Sequence, residues 1–392
     1  MPDALAARRL ARRSRDGGRR AAFTRRLRAR ALTGAALVGV FCLGVGLSRM
    51  AYAAGAAANT PTVSADANAK AARPTVPLPH SPAPHSPAPP RAALPGFNPP
   101  PATPGTSTSG PVRLQPARMP FYVATRGATT LYVLGTLHVG DPADYPVKQP
   151  FRPAIMGALA ASPTLALELS PDELLVSQDD VSKYGVCRRD CLPGLLPEPL
   201  WHKLAWRLRG NRAALDEIRK MRPWLASLLV ETYDSLSAGL QTEYGTEAQL
   251  QNVYLKTRGK IVGLETLPQQ MRAFTSLTLA QQREMLAQDL AQTPAENVAD
   301  VRTLHRLWRV GDADAIAAWQ AAKSEKLARD KRISDSIDNK IVYERNRRFV
   351  SRMLLIAAPN KPVFVAIGTL HLGGRKGVLQ LLRQRGFVVE AG

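Results

Sequence analysis

The pattern of apolar and polar positions changes character near residue 112. Beyond it, five short apolar runs stand out. They cover residues 129–139 (TTLYVLGTLHV), 163–169 (PTLALEL), 261–264 (IVGL), 362–367 (PVFVAI) and 387–390 (FVVE). None shows a helical period, and Gly or Pro punctuates most of them. Such runs predict strands buried on both faces, as in a parallel sheet. Between them, apolar residues recur at three- and four-residue spacing. This pattern predicts amphipathic helices over 195–208, 215–230, 249–256, several segments from 279 to 353, 339–356 and 375–385. Strands near both ends with helices between them predict an α/β fold. Its parallel-stranded core would carry a large helical insertion as a cap.

The first 117 residues follow different rules. Residues 1–30 hold eleven Arg and two Asp, and residues 31–48 hold no charge at all. A basic stretch, an apolar run and small-residue sites such as Ala51-Tyr52-Ala53 describe an export leader over 1–53. It is either a cleaved signal peptide or a retained membrane anchor through 31–48, with Cys42 inside the apolar run. Either way the bulk of the chain is expected outside the cytoplasm: periplasmic, secreted or anchored on the outer face of the inner membrane. Residues 61–111 contain fifteen of the chain's 32 prolines and a repeat, HSPAPHSPAP. The stretch 54–117 therefore reads as an extended linker, with the folded domain at 118–392.

Charge and composition sharpen this division. The 392 residues are 45% hydrophobic and 21% charged, which excludes a wholly disordered chain. The net charge of +22 invites a nucleic-acid reading, but it is segregated. Residues 1–30 carry +9, residues 31–111 carry +3 and residues 112–392 carry +10. The Arg cluster is then a topology signal, and no nucleic-acid partner is expected.

Two strands share a signature. Gly135-Thr136-Leu137-His138 recurs as Gly368-Thr369-Leu370-His371, flanked in both copies by aliphatic residues and a further glycine. This predicts two pseudo-equivalent halves, each placing a His just past a buried strand. The other two internal runs end at Glu168 and Glu265. Four parallel strands would thus deliver two imidazoles and two carboxylates at their carboxyl ends, the edge where open α/β sheets bind ligands.

Each residue has a structural explanation as well. A His after a strand often only hydrogen-bonds a loop, and Glu168 or Glu265 could pair with Arg. Ser170 and Thr266 read as caps of the helices that follow. The four together make a ligand set for a divalent metal: Zn, Mn, Co or Fe. Alternatively, one carboxylate serves as general base. HExxH, GxSxG, Walker A and GxGxxG motifs are absent.

Arg345 and Asn346 interrupt the apolar stripe of the helix predicted over 339–356. A buried Arg needs a partner, which could be Glu168, Glu265 or a developing oxyanion. Cys187 and Cys191, spaced CRRDC, permit a disulfide in an exported protein. His202 and His305 lie beside Trp in helical patterns and read as packing or surface residues.

These elements resemble the TraB/GumN family, which includes the TIKI-type metalloproteases. The matching segments are YVLGTLHVG, LALELS, YGTEAQL, KIVGLETLPQQ, ERNRRF and PVFVAIGTLHLGGRKGVLQLLRQRGFVV, which span 121–392. The resemblance implies a ChaN/EreA-like fold and a metal site using His138 and His371. It also implies functional roles for Glu168, Glu265 and the pair Arg345-Asn346. One departure stands out: the segment Tyr244-Gly245-Thr246-Glu247 shifts the family's acidic residue by one, which leaves the role of Glu247 open. The function expected is an exported metal-dependent hydrolase, a peptidase acting on a peptide or an envelope polymer. The alternative is a non-catalytic envelope module binding haem, a metal or polysaccharide.

Overall fold

The computed structural model describes residues 115–176, 182–257 and 259–392. The expected leader and nearly all of the expected linker lie outside the described residues. A six-stranded sheet is built from β1 (Phe121–Arg126), β2 (Thr129–Thr136), β3 (Thr164–Leu167), β4 (Lys260–Gly263), β5 (Val363–Gly368) and β6 (Val388–Ala391). Its spatial order is β4-β3-β5-β2-β1-β6. The four strands β4, β3, β5 and β2 run parallel, as their apolar runs predict.

The principal helices are α1 (Pro153–Ala161), α2 (Glu198–Arg207), α3 (Pro223–Ser237), α4 (Thr246–Tyr254), α5 (Leu267–Thr275) and α6 (Leu279–Asp289). They continue with α7 (Pro294–Val310), α8 (Ala313–Leu327), α9 (Lys331–Asp338), α10 (Glu344–Ile356) and α11 (Val378–Arg383). Among the described residues, no helix is long and apolar enough to cross a membrane.

The sheet is covered on both faces, which is why its strands are continuous apolar runs. Alternate residues of β5 face opposite sides. Phe364 and Ala366 pack with Leu134, Leu165 and Leu167 against Ile155 and Leu159 of α1 and Trp308 of α7. Val363, Val365 and Ile367 pack with Leu131 and Val133 against Phe349, Val350 and Met353 of α10 and Leu379 of α11. A third apolar cluster is helical, built on Trp224, Leu225 and Leu229 of α3 with Met271, Phe274 and Leu286.

Four features differ from the sequence expectation. First, β1 is an additional strand, joined to β2 in an antiparallel hairpin whose turn holds Gly127 at φ 56°. Second, β6 is not a buried parallel strand. It is a largely exposed edge strand paired antiparallel with β1. Third, β4 divides the helical material into two insertions rather than one. Fourth, Pro223 splits the helix predicted over 215–230 into Arg212–Ile218 and α3, because proline has no N–H to donate and is favoured at a helix start.

The repeat also takes a different form. The two copies are not the cores of separate, equivalent halves; β2 and β5 are direct neighbours in one sheet. Their register is offset by one residue, with Gly135 opposite Ile367 and Thr136 opposite Gly368. Gly135 lets the two copies approach closely. A Cβ on Gly135 would lie 2.8 Å from both Leu372 Cδ1 and Thr369 Oγ1 of the second copy.

Candidate functional site

The carboxyl ends of the parallel strands do converge. Glu168 directly follows β3, Glu265 lies just beyond β4, and the backbone continues pairing there, Glu265 N–H donating to Glu168 O at 3.0 Å. His371 ends the short 3-10 turn after β5. α10 supplies Arg345 and Asn346. It is entered through a π-helical segment, Asn339–Tyr343, which shifts the helical phase immediately before Arg345.

Arg345 is the hub. Its Nη2 donates to Glu265 Oε1 at 2.6 Å and closely to Glu168 Oε2. Its Nε donates to Glu265 Oε1 at 3.0 Å. Its Nη1 lies 3.2 Å from His371 Nε2. All four side chains are buried, so the buried-Arg expectation is answered by both carboxylates at once. The flat guanidinium fork suits this role, because each acceptor takes a separate N–H.

The two carboxylates differ in environment. Glu168 Oε1 also accepts the Gly368 N–H at 2.8 Å. A side chain at residue 368 would crowd that contact, its Cβ lying 3.2 Å from Glu168 Oε1. Burial opposes ionisation of Glu168, but the charge of Arg345, the two histidines and the Gly368 N–H overcome it and hold the pKa down at about 2. At Glu265, burial wins. With the added repulsion of Glu168, it raises the pKa despite Arg345. Paired acids pushed apart in this way are suited to different roles.

The histidines also differ. Asn346 Nδ2 donates to Lys376 O at 2.9 Å, so its Oδ1 is the acceptor facing His371 Nδ1 at 2.6 Å. His371 therefore carries its proton on Nδ1 and presents a lone pair at Nε2, 3.9 Å from Glu168 Oε1. Burial and the Arg345 charge lower its pKa to about 3, so the ring is neutral.

His138 sits in the loop after β2 and is half exposed, with Nδ1 3.6 Å from Glu247 Oε2. Desolvation opposes its charged form, but the Glu247 and Glu168 carboxylates outweigh it and raise the pKa to about 9. Glu247 is fixed in turn by Thr136 Oγ1 at 3.0 Å.

Glu247 answers the question that the shifted acid raised. The segment before α4 docks on the first histidine loop. Thr246 N–H donates to Leu137 O at 2.9 Å, Leu137 N–H donates to Thr246 Oγ1 at 3.1 Å, and Gly140 bridges Gln241. Gly245 permits this approach, since a Cβ there would meet His138 O at 2.4 Å. Sequence pattern gave Glu247 no role because its contact depends on docking across more than a hundred residues.

Ser170 Oγ accepts Glu173 N–H, and Thr266 caps α5 in a capping box with Gln269. Cys187 and Cys191 form a disulfide. His202 is exposed beside Glu198, whereas His305 is buried, its Nε2 2.6 Å from Asp144 Oδ2 and its ring stacked on Trp308.

A family model described as the TraB/PrgY/gumN family matches residues 120–391. The chain belongs to this family. Comparison with the curated proteins and with the solved structures finds no match. The matched span contains every candidate site residue of this TraB/PrgY/gumN member, from His138 to His371.

Among the described residues, no three His, Cys, Asp or Glu side chains stand together as a ready-made metal set. The individual donors nonetheless suit a metal. His371 has Nδ1 turned to Asn346 Oδ1, the kind of acceptor that orients a metal-binding histidine, and His138 has Nδ1 3.6 Å from Glu247 Oε2. Glu168 stays ionised, and the Arg345 contact at His371 Nε2 is the one that a cation would replace.

Proposed function

We propose that this chain is an exported metal-dependent hydrolase acting on peptides, with a ChaN/EreA-like arrangement of its core and a TIKI-like mode of action. The observation that carries this reading is the placement of two carboxylates and one neutral imidazole around a single buried guanidinium at the strand ends. His138, His371 and Glu168 would hold a divalent metal: Zn, Mn, Co or Fe. When bound, it would supply Lewis acidity toward the scissile carbonyl and activate a water.

The chain's own residues take separable parts. Glu168, held ionised, serves as the anionic ligand. Glu265, whose pKa burial raises, is better matched than Glu168 for accepting and returning a proton. Arg345 offers N–H donors to an oxyanion as charge develops. Asn346 and Glu247 orient the two rings. The Cys187–Cys191 disulfide supports export, because such bonds persist in oxidising compartments.

The test pairs metal analysis with turnover. Purified wild-type protein and the His138→Ala/His371→Ala variant are equilibrated with each metal and measured by mass spectrometry, and each is assayed on a quenched-fluorescence peptide library. The expected result is stoichiometric metal and cleavage in the wild type, both lost in the variant, with cleavage alone lost in Glu265→Gln. Equal, negligible metal in both proteins under replete conditions would sink the metal site. Metal binding without any turnover would make the chain the envelope binding module instead.

A further inference from the structure

A cleft of about 790 Å³ lies beside the site and reaches it at Glu265. That volume falls within the range of roughly 300–1,000 Å³ typical of ligand clefts. One wall is the chain leaving β4, through Gly263, Leu264 and Thr266; the other is α10. The α10 wall presents Arg347, Arg348, Ser351, Arg352 and Leu355, spaced along one helical face.

The cleft also contains acids, so its formal count is balanced, but the partners are not. Glu265 is engaged by Arg345, and Glu344 Oε1 accepts from Asn339 Nδ2 at 3.0 Å. Glu173 Oε2 accepts the Leu267 N–H. On the basic side, Arg347 and Arg352 are exposed and make no side-chain hydrogen bond or ion pair among the described residues. Arg348 reaches Glu265 Oε2 only at 4.0 Å, and its Nε is buried without a hydrogen-bond partner. A buried N–H without an acceptor is costly, so this group is set to receive one.

β4 adds a second feature. Among the described residues it is the outermost strand, paired on one side with β3 and with no strand on its other edge. An edge strand is the kind of element beside which extended peptide backbone can lie.

We propose that this cleft is the substrate-binding groove for acidic peptide segments. Aspartate or glutamate side chains of the substrate would be taken by Arg347, Arg348 and Arg352, and its backbone would lie along the approach to Glu265. The assignment rests on the hydrolase reading but is separable from it.

The experiment is fluorescence anisotropy of end-labelled peptides on the full-length protein, comparing an Asp/Glu-containing peptide with its Asn/Gln isostere at low and high salt. The acidic peptide should bind roughly tenfold more tightly at low salt, from several exposed charge contacts of modest strength each. The Arg347→Ala/Arg352→Ala protein should keep less than about twofold preference, and Arg352→Glu should reduce it as well. Equal affinity for the two peptides, or an unchanged preference in the double variant, would overturn the proposal. So would displacement of the acidic peptide by a polyuronate at lower concentration than by unlabelled peptide. Mass spectrometry of the same mixtures keeps the two readings apart. Acidic preference without cleavage removes the hydrolase and leaves the groove; cleavage indifferent to charge does the reverse.

Discussion

Replacing Arg345 with Met tests whether one guanidinium sustains the whole site. Met fills much of the volume and removes the charge, leaving Glu168 and Glu265 buried without their common partner. The fall of the Glu168 pKa from 4.5 to about 2 corresponds to about 3 kcal/mol in favour of its ionised form. Removing one member of a buried ion network costs about 3–5 kcal/mol. In a folded region of this size that lowers Tm by roughly 10 °C at pH 7.5.

The pH dependence carries the sharper test. In the wild type, Glu168 has a depressed pKa, so its stabilisation is present above pH ~4.5 and is lost as pH falls toward 2. In Arg345→Met, burial raises both carboxylates above their unfolded values. Their cost is then absent below pH ~4.5 and grows as pH rises through the raised folded-state pKa values. Urea unfolding at pH 5.0 and 7.5 should therefore show a deficit at both, smaller at pH 5.0, where the variant already lacks the Glu168 contribution but the burial cost has only begun to appear. The variant Arg345→Met/Glu168→Gln/Glu265→Gln should recover most of the loss, because neutral groups can replace a buried ion network at little cost. A single variant as stable as the wild type at pH 7.5, or an equal deficit at both pH values, would refute the hub assignment.

Glu247→Gln should bring the His138 pKa down from about 9 toward the ordinary histidine range, read directly by NMR titration of the ring. The Glu247 contribution to stability is present below pH ~6.5 and is lost as pH rises through about 9, so the variant should differ from wild type at pH 6 and converge with it near pH 10. Cys187→Ser/Cys191→Ser removes a bond that closes only a five-residue loop. Chain entropy then predicts a loss of about 2 kcal/mol, measured by urea unfolding, with His371 ring shifts unchanged.

Much of the fold was legible because the parallel strands are buried on both faces, and continuous apolar runs report that directly. Val363–Gly368 and Thr164–Leu167 are found within a residue or two of the runs that predict them. β1 escaped because FYVATR is a half-buried strand next to an edge, with only Phe121 and Ala124 fully buried. β6 was visible as a run but not in its direction, since strand polarity depends on connections that hydrophobicity does not encode. The break at Pro223 was written in the sequence, and the helical period on both sides of it obscured it.

The site illustrates a different limit. Equal sequence motifs imply equal roles, yet the two Gly-x-x-His copies become unlike once packed. His371 lies under α10, and its neutrality follows from burial, from Arg345 and from an acceptor on Asn346 that is oriented by Lys376 O. His138 lies at the rim, and its raised pKa follows from Glu247, which a separate insertion brings in. Neither third partner belongs to a repeat, so neither could be found from it. The repeat supplies two rings at neighbouring strand ends; the insertions decide which is a fixed, uncharged donor and which can carry a proton. An arrangement with one ring of each kind near Glu168 gives the site one ring held neutral by its surroundings and one that must release its proton before it can hold a metal, a difference that two identical halves would not provide.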